Sequence, residues 1–211
     1  MADELIAAMP DPAKAAESRD HFFSRTIEQM HAFANGTGDV LLESRGTKSD
    51  VVVNATITTG SGNVTMNAGD DVDLNEAVST GGAGTVFITG AGVSIDAAVT
   101  SFNGEVLISS TQEITQTASI NSTRGDVGLI ANGLISQFNN GDITTTFGDV
   151  LVEAGTDWTM LSETVITAGG GDFDGKALLG SIELGQINSA RTALTAAGHI
   201  SDSNGTMLNL I

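Results

Sequence analysis

A glycine, one residue, then a valine recurs along most of this chain: Gly38-Asp39-Val40, Gly62-Asn63-Val64, Gly84-Thr85-Val86, Gly104-Glu105-Val106, Gly125-Asp126-Val127 and Gly148-Asp149-Val150. The steps between these glycines are 24, 22, 20, 21 and 23 residues. A near-constant interval in this range marks a solenoid, in which each unit stacks on the last and none folds alone. Whatever is apolar in one unit must then meet its equivalent in the next.

The second unit shows the layout. Residues 62–67 alternate as a strand with Val64 and Met66 on one side, 68–71 turn, 72–75 make a second short strand and 76–80 a third, before Gly81-Gly82 leads into the next unit. Three short strands per winding predict an all-β fold, a right-handed parallel β-helix of about seven coils over residues 37–211. Aligned on the glycines, the first arm turns Val40, Val64, Val86, Val106, Val127 and Val150 inward, followed by Leu42, Met66, Ile88, Ile108, Leu129 and Val152. The second arm contributes Val51, Val72, Val93, Ile114, Ile135 and Trp158, and the third Ile57, Val78, Val99, Ile120, Ile143 and Val165. Gln116 and Gln137 interrupt a second-arm column on neighbouring coils and are expected either to bond to each other along the axis or to lie just outside the core. After Gly169-Gly170-Gly171 the period loosens. Residues 205–211 read as the opening of a further first arm, so the array is expected to continue or to meet a partner.

Residues 1–36 have a different character. Asp11-Pro12 supplies a helix start, Asn35-Gly36 a helix stop, and Phe22, Phe23, Ile27, Met30 and Phe33 recur at helical spacing between them. These signals predict an amphipathic helix over about 13–34. Its expected role is to cap the apolar end of the first coil and its unpaired strand edges.

Composition narrows function by exclusion. The net charge is −18, and the eight Lys and Arg are scattered. Phosphate backbones and anionic membrane surfaces would find no basic patch, so nucleic acid and membrane surfaces are not expected partners. There is no Cys, hence no disulfide or thiolate chemistry, and no apolar run long enough for a membrane helix. Residues 1–9 carry Asp3 and Glu4 without a basic stretch and do not read as a signal peptide. His21, His31 and His199 form no metal-binding spacing. No Gly-x-Ser-x-Gly, P-loop or His-Glu-x-x-His motif occurs. The chain reads as non-enzymatic, with no cofactor expected.

Three surface features stand out. Glu105, Asp126 and Asp149 stack outward on consecutive coils, and oxygen ligands of this kind suit calcium, so they are the candidate metal ligands. The single run Gly169-Gly170-Gly171-Asp172-Phe173-Asp174-Gly175 partly resembles a calcium-binding nonapeptide repeat, but it occurs once, and a wide turn is the simpler expectation. The outward first-arm column reads Leu41, Thr65, Phe87, Leu107, Gly128 and Leu151. Large apolar residues on a water-facing row mark a contact surface, so Leu41, Phe87, Leu107 and Leu151 are the candidate interface. The outward third-arm places are small and mostly hydroxylic (Thr56, Thr58, Ser79, Thr100, Ser119, Asn121, Thr144, Thr164) but read as interrupted by Ala77, Ala98, Asp142 and Ile166.

Residues 62–80, 84–100 and 192–203 carry the text Gly-Asn-Val-Thr-Met-Asn-Ala-Gly-Asp-Asp-Val-Asp-Leu-Asn (62–75) and Ala-Leu-Thr-Ala-Ala-Gly-His-Ile-Ser-Asp-Ser (193–203). This text resembles the repeats of large bacterial exoproteins of the filamentous-haemagglutinin type, over residues 37–211. The resemblance implies an elongated, non-enzymatic adhesive segment of a larger protein at the cell surface or outside the cell. Its partners would be other protein chains, the rest of the parent protein, or a surface glycan. The alternative classes are a module binding cations, glycans or ice, and a subunit that assembles end to end.

Overall fold

Short β-branched strands separated by glycine corners can satisfy their backbone groups only by pairing with the coils above and below. A computed structural model of the chain, describing residues 32–34 and 36–205, shows that pairing throughout. All sheet contacts are parallel, and the path is a β-solenoid of eight turns, as the eight-stranded sheet of second arms records. The first-arm strands run from Val40–Ser44 to the second half of Val165–Ala177 and on to Gln186–Ala196. The second arms run from Val51–Val53 to Ile182–Leu184 and Ile200–Asp202, and the third arms from Ile57–Thr59 onward. First and third arms merge into one 14-stranded sheet because Val165–Ala177 and Gln186–Ala196 run through the corner between them.

The expected columns are in register. Val64 pairs with Val86, Val86 with Val106, Val106 with Val127 and Val127 with Val150. Val72, Val93, Ile114, Ile135 and Trp158 stack likewise on the second arm. These side chains are essentially excluded from water. Each such aliphatic residue contributes roughly 1.5–3 kcal/mol by burial. Trp158 and Phe173 pack at 5.7 Å between ring centroids. The room they take is compensated at Gly175, where a Cβ would run into the rings of both and into Leu194.

The corner glycines have a steric cause. A Cβ on Gly62, Gly84, Gly104, Gly125, Gly148 or Gly171 would drive into the carbonyl oxygen of the equivalent glycine one coil below. None of these six has positive φ, so close approach of two backbones, rather than left-handed geometry, demands glycine. The same carbonyls accept hydrogen bonds from buried hydroxyls at the end of the third arm. Thr80 donates to Gly84 at 2.7 Å, Ser101 to Gly84 at 2.9 Å and Ser122 to Gly104 at 3.2 Å.

Three expectations need correction. Residues 32–34, the end of the predicted helix, are a β-strand in register with Ile57–Thr59. Among the described residues there is no helix. The open edge of the first third arm binds this short alternating stretch, and edge pairing overrides helical periodicity there. The rest of the predicted helical cap lies outside the described residues, as do residues 206–211. The coil count is eight, not seven, because the last two windings keep the strand register without the Gly-x-Val signature. In the third-arm column the inward residue is Ile166, paired with Ile143, and not Val165. Gly169–171 lie at a register irregularity between Ala168 and Asp172, which fits the wide-turn expectation.

Gly125→Ala is expected to destabilise the chain by about 2–3 kcal/mol, since backbone must move to admit the methyl group. Gly128→Ala meets only the tip of Leu107 and is expected to cost less than about 1 kcal/mol. Urea unfolding of the two variants measures the contrast.

Candidate functional site

The acidic column and its neighbours are built from the corner amides. The residue just before each first arm points its N–H along the axis, where no strand carbonyl waits for it. Asp39 accepts the N–H of Asn63 at 2.7 Å, Asn63 that of Thr85 at 2.9 Å, Asp126 that of Asp149 at 2.8 Å and Asp149 that of Asp172 at 2.8 Å. The other corners repeat the device: Asp71 accepts from Gly92, Asp142 from Val165 and Asp157 from Ser181. A carboxylate accepting an amide proton contributes about 1.5–3 kcal/mol. Repulsion between charges one coil apart is at most about 1 kcal/mol in water. The hydrogen bond therefore outweighs the repulsion, and Asp39, Asn63, Asp126 and Asp149 are explained as amide caps, whereas Glu105 caps none among the described residues.

Glu105, Asp126 and Asp149 do share one column, each immediately preceding a register-matched valine. Among the described residues no three His, Cys, Asp or Glu side chains gather closely enough to hold a metal ion. In Asp126 and Asp149 one carboxylate oxygen is already engaged by an amide. Arg191 closes the column at its far end, with Nε 3.0 Å from Asp172 Oδ1 and Nη2 bonded to Oδ2. That guanidinium holds the Asp172 carboxyl below the usual carboxylate range. Lys176 bridges Asp174 at 2.7 Å and Glu153 at 3.6 Å.

The four predicted interface residues fall in one outward row. Leu41 pairs with Thr65, Thr65 with Phe87, Phe87 with Leu107, Leu107 with Gly128 and Gly128 with Leu151. Leu41 is 65% exposed and Phe87 39%. Leu107 leans over Gly128, which closes the gap in the row. Ile130 lies in the adjacent outward column, paired with Ser109 and Glu153.

Inside the coils, Gln116 and Gln137 form the expected axial pair, with Gln137 Nε2 donating to Gln116 Oε1 at 2.9 Å. Trp158 extends it, its indole N–H donating to Gln137 Oε1 at 2.8 Å. Gln116 Nε2 ends the chain on the carbonyls of Ala118 and Asp142. This polar line through the core is fully engaged and serves structure rather than ligand.

One surface feature is more continuous than its sequence reading, and a second escaped it. With Ile166 inward, the outward third-arm row is unbroken: Thr58, Ser79, Thr100, Asn121, Thr144 and Thr167 stand in register. Thr164, expected in that row, is buried. The corners flanking this arm carry exposed aromatics. Phe102 and Phe147 stand at one corner, with the Arg124 guanidinium 5.3 Å from the Phe147 ring centre. Phe138 stands at the other, where Thr117, Phe138, Asn139, Asn140 and Leu161 line a cavity of about 380 Å³. Isolated exposed phenylalanines carry no periodic signal, so only the fold could gather them.

No helix among the described residues is long and apolar enough to cross a membrane. Comparison with known proteins finds no matching family model, no matching curated protein and no matching solved structure. The class that the geometry defines is that of a parallel β-solenoid.

Two predictions follow from buried and crowded polar groups. Gln137→Leu strands the Trp158 N–H and the Gln116 carbonyl oxygen, and is expected to cost about 2–4 kcal/mol by urea unfolding. Partial burial, then the charges of Asp50, Asp71 and Asp96, push the Asp73 carboxyl above its ordinary range. The folded chain thus holds that proton more tightly than the unfolded chain, and ionised Asp73 weakens the fold. Asp73→Asn should stabilise the protein at pH 7 by roughly half a kcal/mol. The gain should shrink as pH falls through the raised pKa and vanish below the ordinary carboxylate range, as paired melting curves across pH will register.

Proposed function

We propose that this chain is a non-enzymatic structural and adhesive segment of a larger secreted or cell-surface bacterial protein. The solenoid, read as right-handed, would hold contact faces at fixed spacing. The observation that carries this reading is the in-register outward row of Leu41, Phe87, Leu107 and Leu151 on a scaffold whose core is already complete. An apolar row outside a filled core has no folding task, and its burial against another protein surface would be favourable. The text shared with filamentous-haemagglutinin-type repeats supports the same assignment, as does the strongly acidic composition, which favours solubility.

The calcium reading is the weaker one, because two of the three carboxylates it would use, Asp126 and Asp149, already cap amides. The test of the main reading is association. In sedimentation velocity runs, the full chain should show mass increasing with concentration. Leu107→Lys should weaken that association by about tenfold or more, the cost of a lost central apolar contact. A variant whose association equals that of the parent chain, or a parent chain of constant mass at every concentration, would contradict the assignment of this face.

A further inference from the structure

We propose that the outer face of the third arm, around Thr100, Asn121, Thr144 and Thr167, is a contact site for a neutral glycan. The inference rests on the adhesive reading above and names the chemistry of a surface it would meet.

Charge is the first observation. The protein carries a net charge of −18, and carboxylates cap the corner amides before all three arms. The outward third-arm row nevertheless holds only hydroxyl and amide side chains, from Thr58 to Thr167. An anionic ligand would find Arg124 close by, but that guanidinium is seated on the Phe147 ring. A cationic ligand would find better partners on the first arm. Hydroxyls and amides both donate and accept, which is what a polyhydroxyl ligand needs.

The rims supply the second observation. Phe102, 55% exposed, and Phe147, 60% exposed, stand at one end of the arm, and Phe138, 39% exposed, at the other. Exposed rings on both sides of this row, with Asp142 at its Phe138 edge engaged by the Val165 N–H at 2.8 Å, offer flat apolar faces to the C–H side of a sugar ring, and lose little conformational freedom on binding. The corner that holds Phe138 is lengthened by Asn139 and Asn140, which with Thr117 and Leu161 line a shallow, open hollow of about 380 Å³. In repeat proteins such insertions commonly project on the binding face. The same rims and insertion interrupt the flatness that an ice lattice would require.

Affinity electrophoresis of the full chain tests this in native gels containing dextran, a mixed-linkage glucan or galactomannan, with polygalacturonate as the anionic control. The chain should be retarded by at least one neutral polymer and not by polygalacturonate. Phe138→Ala and Phe147→Ala should each weaken retardation by about tenfold, the usual cost of removing an aromatic anchor. Both should melt where the parent does, while Leu179→Ala, at an exposed corner after the first arm, should bind as the parent does. Free migration in all three neutral gels would overturn the proposal. So would retardation that both third-arm variants retain, or equal retardation by polygalacturonate. Such a failure would leave the first-arm reading intact, since Leu107→Lys tests that face separately.

Discussion

In-register stacking of one coil on the next is the constraint from which everything else here derives. Coils lie about 4.8 Å apart, so every position meets a copy of itself. Valine on valine fills that spacing without voids. Glycine on glycine is required at the corner before the first arms, from Gly62 to Gly171, because a Cβ would strike the carbonyl below. Aspartate or asparagine before an arm is just long enough to reach the amide one coil on. The Gly-Asp-Val triplet therefore compresses three separate demands of the fold into consecutive residues.

The same register that orders the core also sorts the surface. One outward row becomes mostly apolar, another mostly acidic and a third hydroxyl and amide, each held in register over several coils without any side chain having to move. The first-arm row places Phe87 against Leu107, and the third-arm row places Thr100 against Asn121. Departures from uniformity sit at corners, where length varies without disturbing the strands. Three residues separate the second and third arms in the early coils, whereas five separate Gln137 from Ile143 and Met160 from Ile166. Those longer corners carry Phe138 with its two asparagines, and Leu161.

The arms and most inward columns were legible in the sequence because period and alternation are properties of the text itself. Gln116 and Gln137 could be paired for the same reason, and so could the row of Leu41, Phe87, Leu107 and Leu151. What could not be read depended on corner length or on neighbours. Val165 was chosen over Ile166 because both are β-branched and the lengthened corner shifts the count by one. That slip hid Thr167, and counting the corner residues Ala77, Ala98 and Asp142 into the third-arm row made it look broken. Ala32-Phe33-Ala34 fits a helix and a strand equally well in isolation, and only the exposed edge of Ile57–Thr59 decides between them. The indole bond from Trp158 to Gln137, and the vacancy at Gly175 that accommodates the ring, are contacts across coils that no single repeat predicts.

The account stands or falls on whether the valines of successive coils touch. Methyl-to-methyl nuclear Overhauser effects in a protein labelled only at valine measure this directly. Cross-peaks should join Val64 to Val86, Val86 to Val106 and Val106 to Val127, and none should join Val64 to Val106, two coils apart. Absence of the neighbouring cross-peaks, or contacts that skip a coil, would contradict it.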